Sequence, residues 1–204
     1  MLAIVDYGIG NVRSVLNAFD FLGIPAKLTR DAGEIAEADA LVLPGVGAFG
    51  EGMRRIDEYG LRPALVKAFD QGKPMLGICL GFELLMRFSD EQGDHAGLNF
   101  FPLDVHRIET SARLPHIGWS AVHSRSSSTK PSRLMRGIEG EFFYFVHSYA
   151  VMPDSRFTTA TASYGGTELV AVIEQGQLFG TQFHPEKSGE AGLQLLRNFA
   201  AVRV

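Results

Sequence analysis

Cysteine is all but missing from this chain: 204 residues carry one, Cys79. A single thiol excludes an internal disulfide framework and a multi-cysteine zinc site. No apolar run is long enough to span a bilayer, and Met1-Leu2-Ala3-Ile4-Val5 has no cationic segment ahead of a signal-length apolar stretch. One-sided charge is also lacking. Lysine and arginine number 19 against 23 aspartate and glutamate, a net of −4, which supplies no electrostatic footprint for nucleic acid. With 46% hydrophobic and 21% charged residues the composition is that of an ordinary soluble protein, expected in the cytoplasm with neither a membrane nor a nucleic-acid partner.

What is present is an alternation of strand-like and helix-like stretches. Leu2–Asp6 reads as a buried strand and Ile24–Thr29 as the next. Between them Asn11–Leu22 reads as a helix, because Val12, Val15, Leu16, Phe19 and Leu22 recur at helical spacing; Asn11 is its expected cap. Ala40–Leu43 and Pro74–Ile78 are further strands, with helical segments at Glu51–Ile56 and Pro63–Gln71 between them. This β-α-β alternation predicts an α/β fold, one domain over residues 1–204 built on an open, mostly parallel twisted sheet with helices on both faces. The second half is richer in aromatic and β-branched residues. It predicts strands at Leu103–Ile108, Phe142–Val146, Thr158–Tyr164, Leu169–Glu174 and Gln177–Phe183, then a closing helix at Gly192–Val202. Ser124–Ser132 is polar and aperiodic, and is expected to be a mobile surface loop.

Two segments carry chemistry. In Leu76-Gly77-Ile78-Cys79-Leu80-Gly81, glycines flank the thiol two positions away, apolar residues precede it, and the helix-like Phe82–Met86 follows. This pattern suits a sharp strand-to-helix turn that presents a nucleophile at the top of a sheet. A helix N-terminus there would also favour the thiolate. A lone cysteine is ordinarily a small buried hydrophobe, so the second segment matters. Thr181-Gln182-Phe183-His184-Pro185-Glu186 follows a strand and offers a base, His184, beside a carboxylate, Glu186, that can fix its tautomer. Pro44-Gly45-Val46-Gly47 supplies backbone N–H groups at another strand end, as an oxyanion hole requires. Gly8-Ile9-Gly10 is only a partial dinucleotide fingerprint, since Arg13 holds the third glycine position. His116 and His147 have no carboxylate or cysteine at metal-ligand spacing and read as hydrogen-bonded structural residues. Trp119 and the Phe142–Phe145 cluster read as core or interface packing.

With these segments the chain resembles the class I glutamine amidotransferases, whose flavodoxin-like α/β architecture fits the alternation above. Asp6-Tyr7-Gly8, Pro44-Gly45-Val46-Gly47-Ala48-Phe49 and Phe145-Val146-His147-Ser148-Tyr149 resemble, within that family, subunits that feed ammonia to a (β/α)8-barrel cyclase in histidine biosynthesis. The resemblance implies that Cys79 attacks the side-chain carboxamide of glutamine, His184 moves the proton and Glu186 orients His184. It implies an oxyanion hole from the backbone N–H groups of Leu80, Gly45, Val46 and Gly47. Glu91 would hold the substrate's ammonium group, and the backbone around Ser148 and Tyr149 its carboxylate. Tyr144 and Lys187 match positions near the contact with the cyclase. The Gly45–Gly47 loop is expected to reorient when that partner binds ligand. No cofactor or metal is implied.

Two positions depart from the family's pattern. Glu83 stands where a substrate-binding glutamine is usual, and Ser120 where asparagine is usual. An ionised Glu83 would raise the thiol pKa by like-charge repulsion with the thiolate. The departures leave open a paralogous subunit serving another synthase, such as a sugar-nucleotide amidinating enzyme, or a catalytically weak regulatory subunit. They also leave open a stand-alone cysteine hydrolase, against which the glycine loop and Lys187 argue.

Overall fold

Four residues of continuous apolar chain, Leu2–Val5, form strand β1 and are wholly buried, as a strand covered on both faces must be. The computed structural model describes residues 1–125 and 131–202. After β1 come α1 (Val12–Phe21), β2 (Ala26–Thr29), α2 (Ala32–Glu37), β3 (Ala40–Gly45), α3 (Phe49–Glu58), α4 (Arg62–Asp70), β4 (Met75–Cys79) and α5 (Leu80–Leu84). Short strands follow: β5 (Met86–Ser89), β6 (His95–Ala96), β7 (Phe101–Arg107), β8 (His116–Ala121), β9 (His123–Ser124), β10 (Phe142–His147) and β11 (Tyr149–Val151). The chain closes with β12 (Thr158–Tyr164), β13 (Thr167–Gln175), β14 (Leu178–Thr181), a 3-10 turn at Pro185–Lys187 and α6 (Gly189–Ala200).

The main sheet runs in the order β2-β1-β3-β4-β14-β13-β12-β9. Its first five strands are parallel, and the β14, β13, β12 and β9 edge is antiparallel. Period-two alternation divides the core between the faces. Ala3 and Val5 pack with Ile35 of α2, Ile56 of α3 and Leu65 of α4. Leu2 and Ile4 pack with Phe19 of α1 and with Leu196 and Phe199 of α6. Emptying one of these positions, as in Phe199→Ala, costs about 3–5 kcal/mol. Two smaller sheets, β10-β8 and β11-β7-β5-β6, lie beside the main one.

Local departures from the sequence expectations have physical causes. The helix expected at Phe82–Met86 ends at Leu84, and β5 begins at Met86. Later backbone captures its last turn: Phe100 and Phe101 N–H donate to the Leu85 carbonyl, and Asn99 N–H to that of Met86. Asn11 precedes α1 without a side-chain capping bond. Of the expected loop Ser124–Ser132, Ser124 belongs to β9 and Ser132 is buried with its hydroxyl on the Glu174 carboxylate. Residues 126–130 lie outside the described residues. No helix among the described residues is long and apolar enough to cross a membrane.

Candidate active site

The elbow forms as its spacing predicts. Cys79 is the last residue of β4, and its backbone holds φ 53° and ψ −113°, a region L-residues rarely adopt outside constrained functional turns. The flanking glycines are needed for contact: a Cβ on Gly81 would lie 1.7 Å from the Leu43 carbonyl oxygen, and one on Gly77 2.6 Å from Phe82 Cα. The thiol is buried, and burial pushes it well above its ordinary pKa, with Glu83 adding to the effect only when it is ionised. A bond from the Leu80 N–H works the other way, while Glu186 raises and Lys187 lowers it further. The expected thiolate at a helix N-terminus is therefore not the resting form. The five residues of α5 do not offset desolvation, and the proton has to be taken by a base.

The histidine expected to be that base lies one strand over. β14 runs parallel beside β4 with Thr181 opposite Ile78, so the turn carrying His184 leaves the sheet at the same edge as the elbow. His184 Nδ1 lies 2.8 Å from Glu186 Oε1, both side chains being 2% exposed. Glu186 accepts from Nδ1, which leaves His184 Nε2 as the free lone pair; it is buried and unpartnered among the described residues. The turn is latched to β10. His184 N–H donates to the Tyr144 carbonyl at 3.0 Å, and the Ser188 hydroxyl donates to the His184 carbonyl at 2.6 Å while accepting the Tyr144 N–H at 3.0 Å.

A cavity of about 160 Å³ adjoins the thiol. Cys79, Leu80, Val46, Gly47, Glu83, Glu91, Ser148 and Tyr149, drawn from distant stretches of the chain, line it, and His184 and Glu186 lie outside the lining. Gly45 is not in the lining but pairs with Cys79 in the β3–β4 register. Tyr144 and Lys187 lie apart from the cavity, with Lys187 Nζ 5.9 Å from the Tyr144 ring centre and that ring edge-on to Trp119. Trp119, Phe142 and Ile117 are each more than half exposed, whereas Phe143 and Phe145 are buried, so the aromatic cluster divides into an outer and an inner face.

Glu83 is buried and accepts from Gln182 Nε2 at 2.8 Å. Burial pushes its carboxyl up to about 8, Glu91 adding and Gln182 opposing. It is therefore a neutral acid at pH 7, close in shape to the glutamine it replaces and retaining one O–H donor. Glu91, in the cavity lining, also makes a structural contact. Its Oε2 accepts the Phe49 N–H at 2.7 Å, supplying α3 with the cap that Ala48 cannot provide and pinning the helix that follows the glycine loop. Sequence reasoning missed three neighbours: His147 and Val146, which line the cavity, and Tyr7. The buried Tyr7 hydroxyl lies where a side chain on Gly45 would begin, 2.0 Å from such a Cβ, and burial raises its pKa.

Residues 3–202 match the family model described as glutamine amidotransferase class-I. A relative from Moorella thermoacetica, named imidazole glycerol phosphate synthase subunit HisH, is 46% identical over 200 residues, covering 97% of this chain and 93% of its own length. The subunit of the same name from Methanothermobacter thermautotrophicus is 46% identical over 202 residues, covering 99% and 98%. Among solved structures, a crystal structure of a glutamine amidotransferase superposes with a TM-score of 0.76 at 20% identity, covering 98% of this chain and 97% of that one, a likeness of fold alone. The elbow, the His-Glu pair and the sheet that aligns them thus have a family: this chain belongs to the class I glutamine amidotransferases.

Proposed function

We propose that this chain is the glutaminase subunit of imidazole glycerol phosphate synthase, acting in histidine biosynthesis. The observation that carries the reading is the placement of Cys79, beside a partly open cavity, at the sheet edge where the His184–Glu186 pair also emerges. Glutamine enters with its carboxamide at the thiol. His184 Nε2 takes the thiol proton as Cys79 Sγ bonds to the carboxamide carbon, and the oxyanion forms against backbone N–H groups of Leu80 and the Gly45–Gly47 loop. Each such donor is worth about 3–4 kcal/mol in comparable sites. His184 then passes the proton to the leaving ammonia as the C–N bond breaks, which leaves a glutamyl thioester. Water, deprotonated by the same nitrogen, releases glutamate and restores the thiol.

The Glu91 carboxylate and the backbone at Ser148 and Tyr149 suit the substrate's ammonium and carboxylate ends. A neutral Glu83 removes the reason to read the chain as a weakened regulatory subunit, because the charge that would oppose thiolate formation is absent at pH 7. Ammonia released into water would be protonated and lost, so the product calls for an acceptor subunit joined to this one. The relatives' names place them as subunits of a synthase. The face we assign to a (β/α)8-barrel cyclase is the outer side of the β8–β10 ribbon, where Ile117, Trp119 and Phe142 are 60%, 55% and 57% exposed beside Tyr144 and Lys187. Glutamate formation measured with and without the co-expressed cyclase tests the reading. We expect turnover that rises on assembly and again with the cyclase's ligand; equal rates in all three states would remove the coupling, and no glutamate in any would remove the function.

A further inference from the structure

The β8–β10 ribbon also has an inner face, where His116, Phe145 and His147 are buried. His116 and His147 are cross-strand partners, and the chemistry above uses neither imidazole. Their polar atoms form a continuous line. Ser120 Oγ lies 3.0 Å from His116 Nε2, His116 Nδ1 lies 3.2 Å from His147 Nε2, and His147 Nδ1 lies 2.7 Å from the Tyr149 carbonyl oxygen.

The direction of this line follows from counting protons. Burial pushes both imidazoles down to about 4, so at pH 7 each is neutral and carries one ring proton. A carbonyl can only accept, which puts the His147 proton on Nδ1. His147 Nε2 is then an acceptor, so His116 must donate from its own Nδ1. His116 Nε2 is left to accept, and the Ser120 hydroxyl donates. Every donor points the same way, from the ribbon whose outer face carries Trp119 toward the wall of the cavity. The His116 ring is stacked between Phe145, with centres 4.9 Å apart, and Tyr164, at 4.0 Å. A ring sandwiched in this way keeps its plane, so the line can reverse only by tautomer exchange. Reversal would set a lone pair of His147 against the Tyr149 carbonyl, two buried acceptors face to face.

His147, Ser148 and Tyr149 are consecutive and all line the cavity. We propose that His116 and His147 are positioning residues for glutamine binding. With Ser120 they form a one-directional hydrogen-bond relay that ends on the Tyr149 carbonyl and holds the Ser148–Tyr149 wall in place for the substrate's carboxylate. The inference rests on glutamine occupying this cavity. It also gives the partner-facing ribbon a direct mechanical connection to the substrate wall.

The test compares the wild-type chain, assembled with its barrel partner, with Ser120→Ala, Ser120→Thr and His116→Phe. Imidazole nitrogen NMR of the substrate-free wild type reads the tautomers, and both histidines are expected to be protonated at Nδ1. Ser120→Ala removes the first donor and should raise the KM for glutamine about 3–10-fold, the worth of one hydrogen bond, with kcat within about twofold of wild type. Ser120→Thr keeps a hydroxyl and should restore KM. His116→Phe keeps a stackable ring without the relay and should raise KM at least as far as Ser120→Ala. Nε2 protonation of His147 in the wild type, or unchanged KM in both Ser120→Ala and His116→Phe, would overturn the relay. A wild-type assembly that released no glutamate would overturn the glutamine reading instead, and the tautomers would still decide the relay's direction.

Discussion

Replacing Glu83 by glutamine should stabilise the protein by an amount that grows with pH. In the folded chain the carboxyl is buried, accepts one bond from Gln182, and is pushed up to about 8 from an ordinary 4.5. A folded pKa above the unfolded one means that the native state holds a proton the unfolded chain has released. The contribution to stability is therefore fully present below about pH 4.5 and is lost as pH rises toward 8. One proton corresponds to about 1.4 kcal/mol per pH unit across that window, so roughly 3 kcal/mol is forfeited by pH 7. Glutamine fills the same space with no proton to lose, so Glu83→Gln removes the slope. Denaturant unfolding of both proteins should show a stability difference near its minimum at about pH 4.5 and about 3 kcal/mol larger at about pH 7. Comparing variant with wild type cancels the titrating groups that do not interact with Glu83. A difference that stayed constant with pH would mean that Glu83 titrates alike in both states, and the neutral-acid account would fail. Activity gives a second readout: above about pH 8, ionised Glu83 should oppose the thiolate, so wild-type turnover should decline there before that of the variant.

Glu186→Gln keeps the shape of the His184 partner but can present its N–H donor to Nδ1; kcat should fall about 10²–10⁴-fold in glutamate release with little change in fold by circular dichroism. Trp119→Ala at the exposed ribbon should weaken cyclase binding about 30-fold, equivalent to about 2 kcal/mol, in a titration that leaves the isolated chain's melting temperature unchanged. His116 and His147, both held down to about 4, should make the fold acid-sensitive in the opposite sense to Glu83. The unfolded chain takes up their protons below about 6.5 while the native one does not. Stability should thus be lost as pH falls from about 6.5 to 4, with proton uptake on unfolding near pH 5 that His116→Phe reduces.

The parallel half of the sheet was legible because its strands are buried on both faces and read as plain apolar runs between amphipathic helices. The elbow was legible for a stricter reason: only glycine clears the contacts with the Leu43 carbonyl and Phe82 that residues 81 and 77 must make. What the sequence concealed depends on distant partners. Helix α2 has only six residues and one buried apolar side chain, Ile35, too few for a periodic signal. Its Asp31 side chain, accepting from the Glu34 N–H, was the available mark. Strand β5 exists because β6 and β7 return from later in the chain to pair with it on either side, which no local pattern announces. Glu83 looked like a departure that could cost activity, and only its burial beside Gln182 identifies it as a neutral acid. In the sequence, His116 and His147 read as structural hydrogen-bonders. Their distances bear this out, but His147's place in the cavity wall follows from the β8–β10 register, which sequence spacing does not reveal.

The claim on which everything else depends is that Cys79 carries the glutamyl group. The assembled wild-type protein, given glutamine, quenched rapidly in acid and digested, should yield by mass spectrometry a peptide containing Cys79 that is heavier by one glutamyl group, and Cys79→Ala should yield neither that adduct nor glutamate. Glutamate released at the wild-type rate by Cys79→Ala would contradict the account.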